Sequence, residues 1–94
     1  MKRRQWLPLC LLAMLGWRAV LAAEPPLEVN QANQAELERL PGVGPSLSEA
    51  ILAERRRAGP FKDWRELQRR VKGLGPATAR RLSQAGLRVN GQAD

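Results

Sequence analysis

Histidine and tyrosine are absent from this chain of 94 residues, which contains one cysteine and one phenylalanine. Cys10 lies in an apolar stretch near the N-terminus, so residues 11–94 contain no thiol and can form no disulfide. The lack of histidine removes the commonest general base and transition-metal ligand. A chain of this size also has little room for a large buried cavity. The composition therefore argues against thiol catalysis, histidine-dependent catalysis and a transition-metal centre.

The N-terminal stretch at positions 1–23 has the three parts of a secretory signal peptide. Met1–Gln5 is positively charged, Trp6–Trp17 is an apolar run, and small residues at 20–23 offer a cleavage site. A membrane-spanning helix needs about 20 apolar residues, and Arg18 ends this run before that length. We therefore expect a protein that is periplasmic or secreted after cleavage. If the signal is not cleaved, it would anchor the protein in the inner membrane.

The charge of the remaining chain differs between its two halves. Residues 24–54 contain one basic and six acidic residues, whereas residues 55–94 contain eleven basic and three acidic residues. A half this basic suggests a polyanionic partner. The alternative is a solvated basic surface that has no specific partner.

A short glycine-containing pattern occurs twice, at residues 40–45 and at residues 71–76. Each copy consists of an apolar residue, any residue, Gly, an apolar residue, Gly and Pro, so Gly42 and Gly44 correspond to Gly73 and Gly75. The proline suits the first position of a helix. We expect each copy to form a sharp turn into a helix whose N-terminal amides attract an anion such as phosphate. Replacing Gly75 by a β-branched residue is expected to strain the second turn.

Helical patterns precede and follow both turns. Asn33 with Glu36, and Asp63 with Glu66, have the spacing of N-terminal capping boxes. The predicted helices cover about residues 34–40, 45–57 and 76–85, and another begins near residue 64. No segment shows convincing strand alternation, so we predict an all-α fold.

The predicted domain occupies residues 33–90. Residues 24–32 form an extended lead-in, and Asn90–Asp94 is expected to be a frayed tail. The two equivalent copies of the pattern suggest two similar units that are related by a pseudo-twofold axis and share one core, because a solenoid would need more repeats.

These features together resemble the helix-hairpin-helix family over about residues 29–90. The order of Val29–Ala32, Leu37–Pro45, Ala58–Lys62 and Val71–Gly75 is similar to that of the tandem helix-hairpin-helix domain of ComEA-type competence proteins. Those are exported bacterial proteins that bind incoming double-stranded DNA outside the inner membrane. The resemblance implies DNA binding without sequence preference, in which hairpin amides and nearby basic side chains contact phosphates.

The resemblance also implies which residues contact DNA. In the first hairpin these are Gly42, Val43, Gly44 and Ser46. In the second they are Gly73, Leu74, Gly75, Ala77 and Thr78, with basic side chains from Lys72, Arg69, Arg70, Arg80 and Arg81. Because Pro41 stands where the second copy has Lys72, and Glu49 follows the first hairpin, we expect the second hairpin to carry most of the affinity. Arg55–Arg57 either complement the dipole of the second helix or contact DNA.

We therefore predict non-specific binding of double-stranded DNA, as the DNA receptor of natural transformation, with other uptake components as partners. Phe61 and Trp64 have the spacing of core residues, so stacking on single strands is not expected. A different class of function is a structural or protein-interaction module of the cell envelope, whose acidic half docks a basic partner. An enzyme is not predicted, because Asp63 and Glu66 are better explained as helix caps than as metal ligands. No small-molecule substrate or cofactor is expected, and a monovalent cation on the hairpin carbonyls, as in some family members, is left open.

Overall fold

The computed structural model describes residues 25–94, and the predicted signal peptide at residues 1–23 lies outside them. In chain order the elements are strand β1 (Leu27–Glu28), helices α1 (Gln34–Glu38), α2 (Pro45–Ala58), α3 (Trp64–Arg70) and α4 (Pro76–Gln84), and strand β2 (Leu87–Arg88). The helices bury their apolar sides in one core. Its largest fully buried side chains include Leu37, Ile51, Phe61, Leu67, Leu74, Leu82 and Leu87.

Strands β1 and β2 pair in parallel and join the two ends of the domain. Leu27 lies opposite Leu87, and Leu27 N donates a hydrogen bond of 2.9 Å to Gly86 O. The fold is mostly helical, and these two short strands are a feature that the sequence did not predict. Strands as short as these cannot show the alternation by which strands are recognised in a sequence.

The stretch before α1 packs into the core instead of serving only as a lead-in. Val29 and Ala32 are fully buried. Nη1 of Arg55 donates hydrogen bonds of 2.8 Å to the carbonyl oxygens of both residues. Arg55 therefore joins this stretch to α2. This role is neither of the two expected from the sequence, which were to complement the helix dipole or to contact DNA. Arg57, two positions later, forms a 2.8 Å ion pair with Glu54.

Side chains cap α1 and α3 at the predicted residues. Asn33 Oδ1 accepts from Glu36 N at 2.8 Å, and Glu36 Oε1 accepts from Asn33 N at 2.9 Å, which completes a capping box. Asp63 Oδ1 accepts from Glu66 N at 2.8 Å. The Glu66 carboxylate, however, accepts from Lys62 N rather than from Asp63 N. The second box is therefore only half formed.

The C-terminal residues are held by the domain and are not a frayed tail. Asn90 N and Gly91 N donate to the Glu28 carboxylate at 3.0 and 2.9 Å. Trp64 Nε1 donates to Gln92 O at 2.8 Å. These partners are far apart in the chain, and most of the bonding groups in the tail are backbone atoms. The local pattern of side chains in the sequence therefore could not predict these hydrogen bonds.

Arg70, the last residue of α3, joins α2 and α3. Its Nη2 donates to Glu54 O at 2.7 Å and to Gly59 O at 2.9 Å, and its Nη1 donates to Glu66 Oε1 at 3.1 Å. Its guanidinium carbon lies 4.2 Å from the centre of the Phe61 ring, within the range of a cation–π contact. The Arg70 side chain is only 11% exposed, so this arginine belongs to the interior of the fold.

Two carboxylates next to Arg70 have lowered pKa values. The side-chain hydrogen bond from Arg57 is the main cause that lowers the pKa of Glu54. The backbone hydrogen bond from Lys62 is the main cause that lowers the pKa of Glu66, and Arg70 adds to both effects. A carboxylate whose pKa is lower in the folded state stabilises the fold above its unfolded pKa of about 4.3, and this contribution is lost as the pH falls through the folded pKa.

Glu66→Gln is therefore expected to lower the melting temperature at neutral pH but not in acid. The difference from the parent protein should shrink as the pH falls from about 4.3 through the lower pKa that Glu66 has in the folded state, where the carboxylate of the parent becomes protonated. Thermal melts followed by circular dichroism between about pH 7 and pH 3 would measure it. Glu49→Gln is the control, since Glu49 is exposed and takes part in none of the ion pairs within residues 25–94. A Glu66→Gln difference that stays constant with pH would contradict this account.

Candidate nucleic-acid interface

Each Gly-x-Gly segment forms a hairpin turn between two helices, as the repeat predicts. In the first hairpin Val43 N donates to Leu40 O at 3.1 Å, and in the second Leu74 N donates to Val71 O at 3.3 Å. All four of these side chains are buried. Val43 and Leu74, predicted as DNA contacts, therefore support the turns from inside. Their amides are already bonded and are not free to bind phosphate.

The two glycines of each hairpin have different roles. Gly42 and Gly73 have φ angles of +82° and +89°, which favour glycine over other residues. Gly44 and Gly75 have φ angles of −98° and −88°, which any residue adopts. A Cβ atom added to Gly75 would have no neighbour within 4 Å. The expected strain on replacing Gly75 is therefore corrected, because only the first glycine of each hairpin is needed for the backbone.

Helices α2 and α4 begin directly after the hairpins, with proline as the first residue. The first amides bonded into these helices are Ser48 N, which donates to Gly44 O at 3.1 Å, and Ala79 N, which donates to Gly75 O at 2.9 Å. Within residues 25–94, the amides just before them donate to no backbone acceptor: those of Gly44, Ser46, Leu47, Gly75, Ala77 and Thr78. Such amides at the positive end of a helix dipole suit an anion.

One of these amides, that of Leu47, is not among the contacts predicted from the sequence. A proline at the first helical position leaves the amides of the next two residues without an intrahelical acceptor. This rule gives Ser46 and Leu47 after the first hairpin, and Ala77 and Thr78 after the second. The signal for Leu47 was therefore present in the sequence.

The two hairpins line one groove of about 490 Å³. Gly42, Gly44 and Ser46 contribute the side of the first hairpin, and Lys72 and Gly73 contribute the side of the second. Leu47 and Ala50 of α2 form an apolar part of its lining. Folding therefore brings together the two copies of a pattern that are distant from each other in the chain.

The first hairpin has positive charge beside it, although residues 24–54 contain only one basic residue. A Cβ atom added to Gly42 would lie 3.6 Å from Nη2 of Arg81, which belongs to α4. Lys72 also lines the groove next to Gly42 and Gly44. The substitution of Pro41 for a lysine therefore does not leave the first hairpin without cations, because the second unit supplies Lys72 and Arg81.

Comparison with known families agrees with this geometry. A family model described as the helix-hairpin-helix motif matches residues 23–85, which include both hairpins and α1 to α4. The chain belongs to the helix-hairpin-helix family. This motif is generally found in nucleic-acid-binding proteins. A search of the curated proteins gave no match.

The predicted basic residues of this helix-hairpin-helix domain divide into two groups. Lys72, Arg80 and Arg81 are exposed, as is Arg69, whose side chain is 68% exposed and lies 3.5 Å from Glu66. Arg70 is instead enclosed by α2 and α3 and is withdrawn from the candidate interface. The predicted Thr78 is half-buried at the start of α4, and Ala77 beside it is exposed. Of the four predicted arginines, Arg69, Arg80 and Arg81 therefore remain candidates for the interface, and Arg70 does not.

The described part of this helix-hairpin-helix protein shows neither a metal-binding group nor a membrane-spanning helix. Within residues 25–94, His, Cys, Asp and Glu side chains form no group of three or more that could hold a metal ion. In the same residues, none of the helices combines the length and the apolar character that crossing a bilayer requires.

A pair of glycine variants separates the two roles within one helix-hairpin-helix turn. Gly73→Ala is expected to lower the free energy of unfolding by about 1–2 kcal/mol, because alanine is strained at positive φ. Gly75→Val is expected to change it by less than about 0.5 kcal/mol, since the extended backbone there accepts any residue and the space is open. It should nevertheless weaken nucleic-acid binding, because a valine side chain would crowd a phosphate that approaches the amides at the start of α4. Urea unfolding measures the stability of each variant, and a DNA-binding assay measures its affinity. Equal destabilisation by the two variants would contradict the different roles given to Gly73 and Gly75.

Proposed function

We propose that this protein binds double-stranded DNA through its phosphates, without sequence preference, at the groove between its two hairpins. The observation that carries the proposal is that unbonded amides at the start of α2 line the groove together with Lys72 and Gly73 of the second hairpin, while Arg81 lies beside Gly42. Amides and cations of this kind bind phosphate oxygens, which are the same in every DNA sequence. Binding of this type positions the protein on DNA and does not select a sequence.

The burial of the aromatic side chains favours duplex over single-stranded DNA. Phe61 is 0% exposed and Trp64 is 6% exposed. These are the two aromatic residues of the described part of the chain. Proteins that bind single strands commonly stack bases on exposed aromatic rings. Residues 25–94 offer no such ring, so a duplex with two phosphate backbones is the better partner.

We propose that both hairpins contact DNA, and that the two units are related by a pseudo-twofold axis. The hairpins share the same turn hydrogen bond and the same pattern of φ angles. Arg81 lies against the first hairpin although it belongs to the second unit. This arrangement supports a shared interface more than one in which the second hairpin carries most of the affinity.

The acidic residues of the first half give less support to the alternative of a protein-interaction module. Glu36 caps α1, and Glu38 accepts a hydrogen bond of 2.9 Å from the buried Ser48 hydroxyl. Glu28 holds the C-terminal residues, and Glu54 pairs with arginines. These carboxylates stabilise the fold, so few remain to dock a basic partner.

For the biological role, we propose a DNA receptor in natural transformation, located outside the inner membrane. The predicted signal peptide and the resemblance to ComEA-type proteins support this role, and other uptake components would be its partners. Deleting the gene should abolish transformation, and the parent protein should restore it. A Lys72→Ala/Arg81→Ala protein that is present at normal levels should not restore it. Normal transformation without the gene would contradict the role, whatever the protein binds in vitro.

The DNA preference is tested by fluorescence anisotropy with labelled oligonucleotides of equal length. Duplexes of different base composition are expected to bind with dissociation constants within about threefold of one another, because phosphates carry no sequence information. A single strand should bind more weakly. A strong preference for one sequence, or for the single strand, would contradict the proposed mode of binding.

A further inference from the structure

A row of basic side chains lies along the exposed side of α3 and ends at the second hairpin. Arg65 and Arg69 are at positions i and i+4 and therefore lie on the same face of the helix. Lys62 lies just before the helix, and Lys72 lies just after it at the edge of the groove. All of these basic residues are exposed. We call Lys62, Arg65 and Arg69 the α3 row.

The two carboxylates near the α3 row already accept hydrogen bonds from other groups. Asp63 caps the N-terminus of α3 by accepting from Glu66 N. Glu66 accepts hydrogen bonds from Lys62 N and from the Arg70 guanidinium. Glu66 also lies 3.5 Å from Arg69, but Arg69 keeps 68% of its side chain exposed. An exposed ion pair of this length contributes little, so Arg69 remains able to exchange it for a phosphate.

The fold does not require the side chains of the α3 row. Arg55 and Arg70 each donate to carbonyl oxygens of neighbouring segments. By contrast, the Arg65 guanidinium and the Lys62 ammonium make none of the hydrogen bonds or ion pairs found within residues 25–94. The α3 row is therefore a set of exposed positive charges that the fold does not need, and it continues towards the proposed phosphate-binding groove. Such a row suits an extended polyanion.

We propose that the α3 row is a second phosphate-contacting surface, which extends the DNA contact beyond the groove along the same duplex. This inference rests on the proposed function of the groove. From Arg65 to Arg69 the helix rises about 6 Å at about 1.5 Å per residue, and Lys62 and Lys72 lie beyond its two ends. That rise alone corresponds to about two base pairs of a DNA strand. The row therefore adds contacts next to those of the second hairpin rather than repeating them.

The test compares two double variants that remove the same charge. Arg65→Ala/Arg69→Ala removes two members of the α3 row. Arg56→Ala/Arg57→Ala removes two exposed arginines from the last turn of α2, about 17 Å along that helix from the first hairpin. Binding of the purified full chain to a random duplex of about 24 base pairs is measured by anisotropy across salt concentration, with melting temperatures checked for each protein.

The α3-row variant is expected to bind about tenfold more weakly at low salt. The slope of log affinity against log salt concentration should fall by about 2, one for each lost phosphate contact. The Arg56→Ala/Arg57→Ala control should keep the slope of the parent. An unchanged α3-row variant, or an equal loss in both variants, would overturn the inference. If the parent itself does not bind the duplex, the proposed function of the groove fails instead.

Discussion

Arg70→Ala is expected to lower the free energy of unfolding by about 3 kcal/mol, which is a large part of the stability of so small a domain. The Arg70 guanidinium donates to the carbonyl oxygens of Glu54 and Gly59 and to the Glu66 carboxylate. Alanine would leave these acceptors without their donor and would also remove the contact with the Phe61 ring. Unsatisfied buried acceptors cost more than the net value of the hydrogen bonds they have lost.

Arg69→Ala is the matched control for this measurement. It removes the same side chain from the preceding position of the same helix, but Arg69 is 68% exposed and has one ion pair of 3.5 Å. Its unfolding free energy should change by less than about 0.5 kcal/mol. In urea unfolding followed by circular dichroism, the Arg70 variant should be the less stable of the two, and it should also melt roughly 15 °C lower. Similar stabilities of the two variants would show that Arg70 does not hold α2 and α3 together.

Lys72→Ala/Arg81→Ala is expected to weaken duplex binding by about 30-fold at low salt and to reduce the salt slope by about 2. Lys72 lines the groove, and Arg81 lies next to Gly42, a lining residue from the first hairpin. Because both residues are exposed, the melting temperature should stay within about 2 °C of the parent value. Anisotropy titrations with a random duplex measure the affinity and the slope.

The single variants then separate the contributions of the two cations. Arg81→Ala removes the cation next to Gly42 and leaves Lys72, which also lines the groove beside the first hairpin. If both cations contact phosphates, each single variant should lose about fivefold in affinity. An Arg81→Ala protein that binds like the parent would show that Arg81 adds no phosphate contact beside the first hairpin. A double variant with unchanged affinity would instead remove the groove from the DNA interface.

The features that the sequence predicted well depend on residues close together in the chain. The cap at Asn33 is recognised because Glu36 follows at the spacing of a capping box. The starts of α2 and α4 are recognised because proline suits the first helical position. The two hairpins are recognised because their glycine pattern repeats. In each case the residues that determine the local backbone are close neighbours in the sequence.

The features that were missed depend on contacts between distant segments. Arg69 and Arg70 look alike in the sequence, but the packing of α3 against α2 encloses one and leaves the other in water. Arg81 lies against Gly42 only because the core brings the two units together. Which arginine supports the fold and which is free to bind a phosphate is therefore decided by tertiary structure, and composition does not reveal it.

The most direct test of the central claim is the salt dependence of duplex binding by the parent protein. A labelled random duplex of about 20 base pairs is titrated with the purified protein at several salt concentrations, and the affinity is read from anisotropy. Phosphate binding at the groove predicts micromolar or tighter binding at low salt and a straight log–log decrease whose slope reports about four or more phosphate contacts. Absence of binding at low salt, or binding that salt does not weaken, would contradict a phosphate-binding groove.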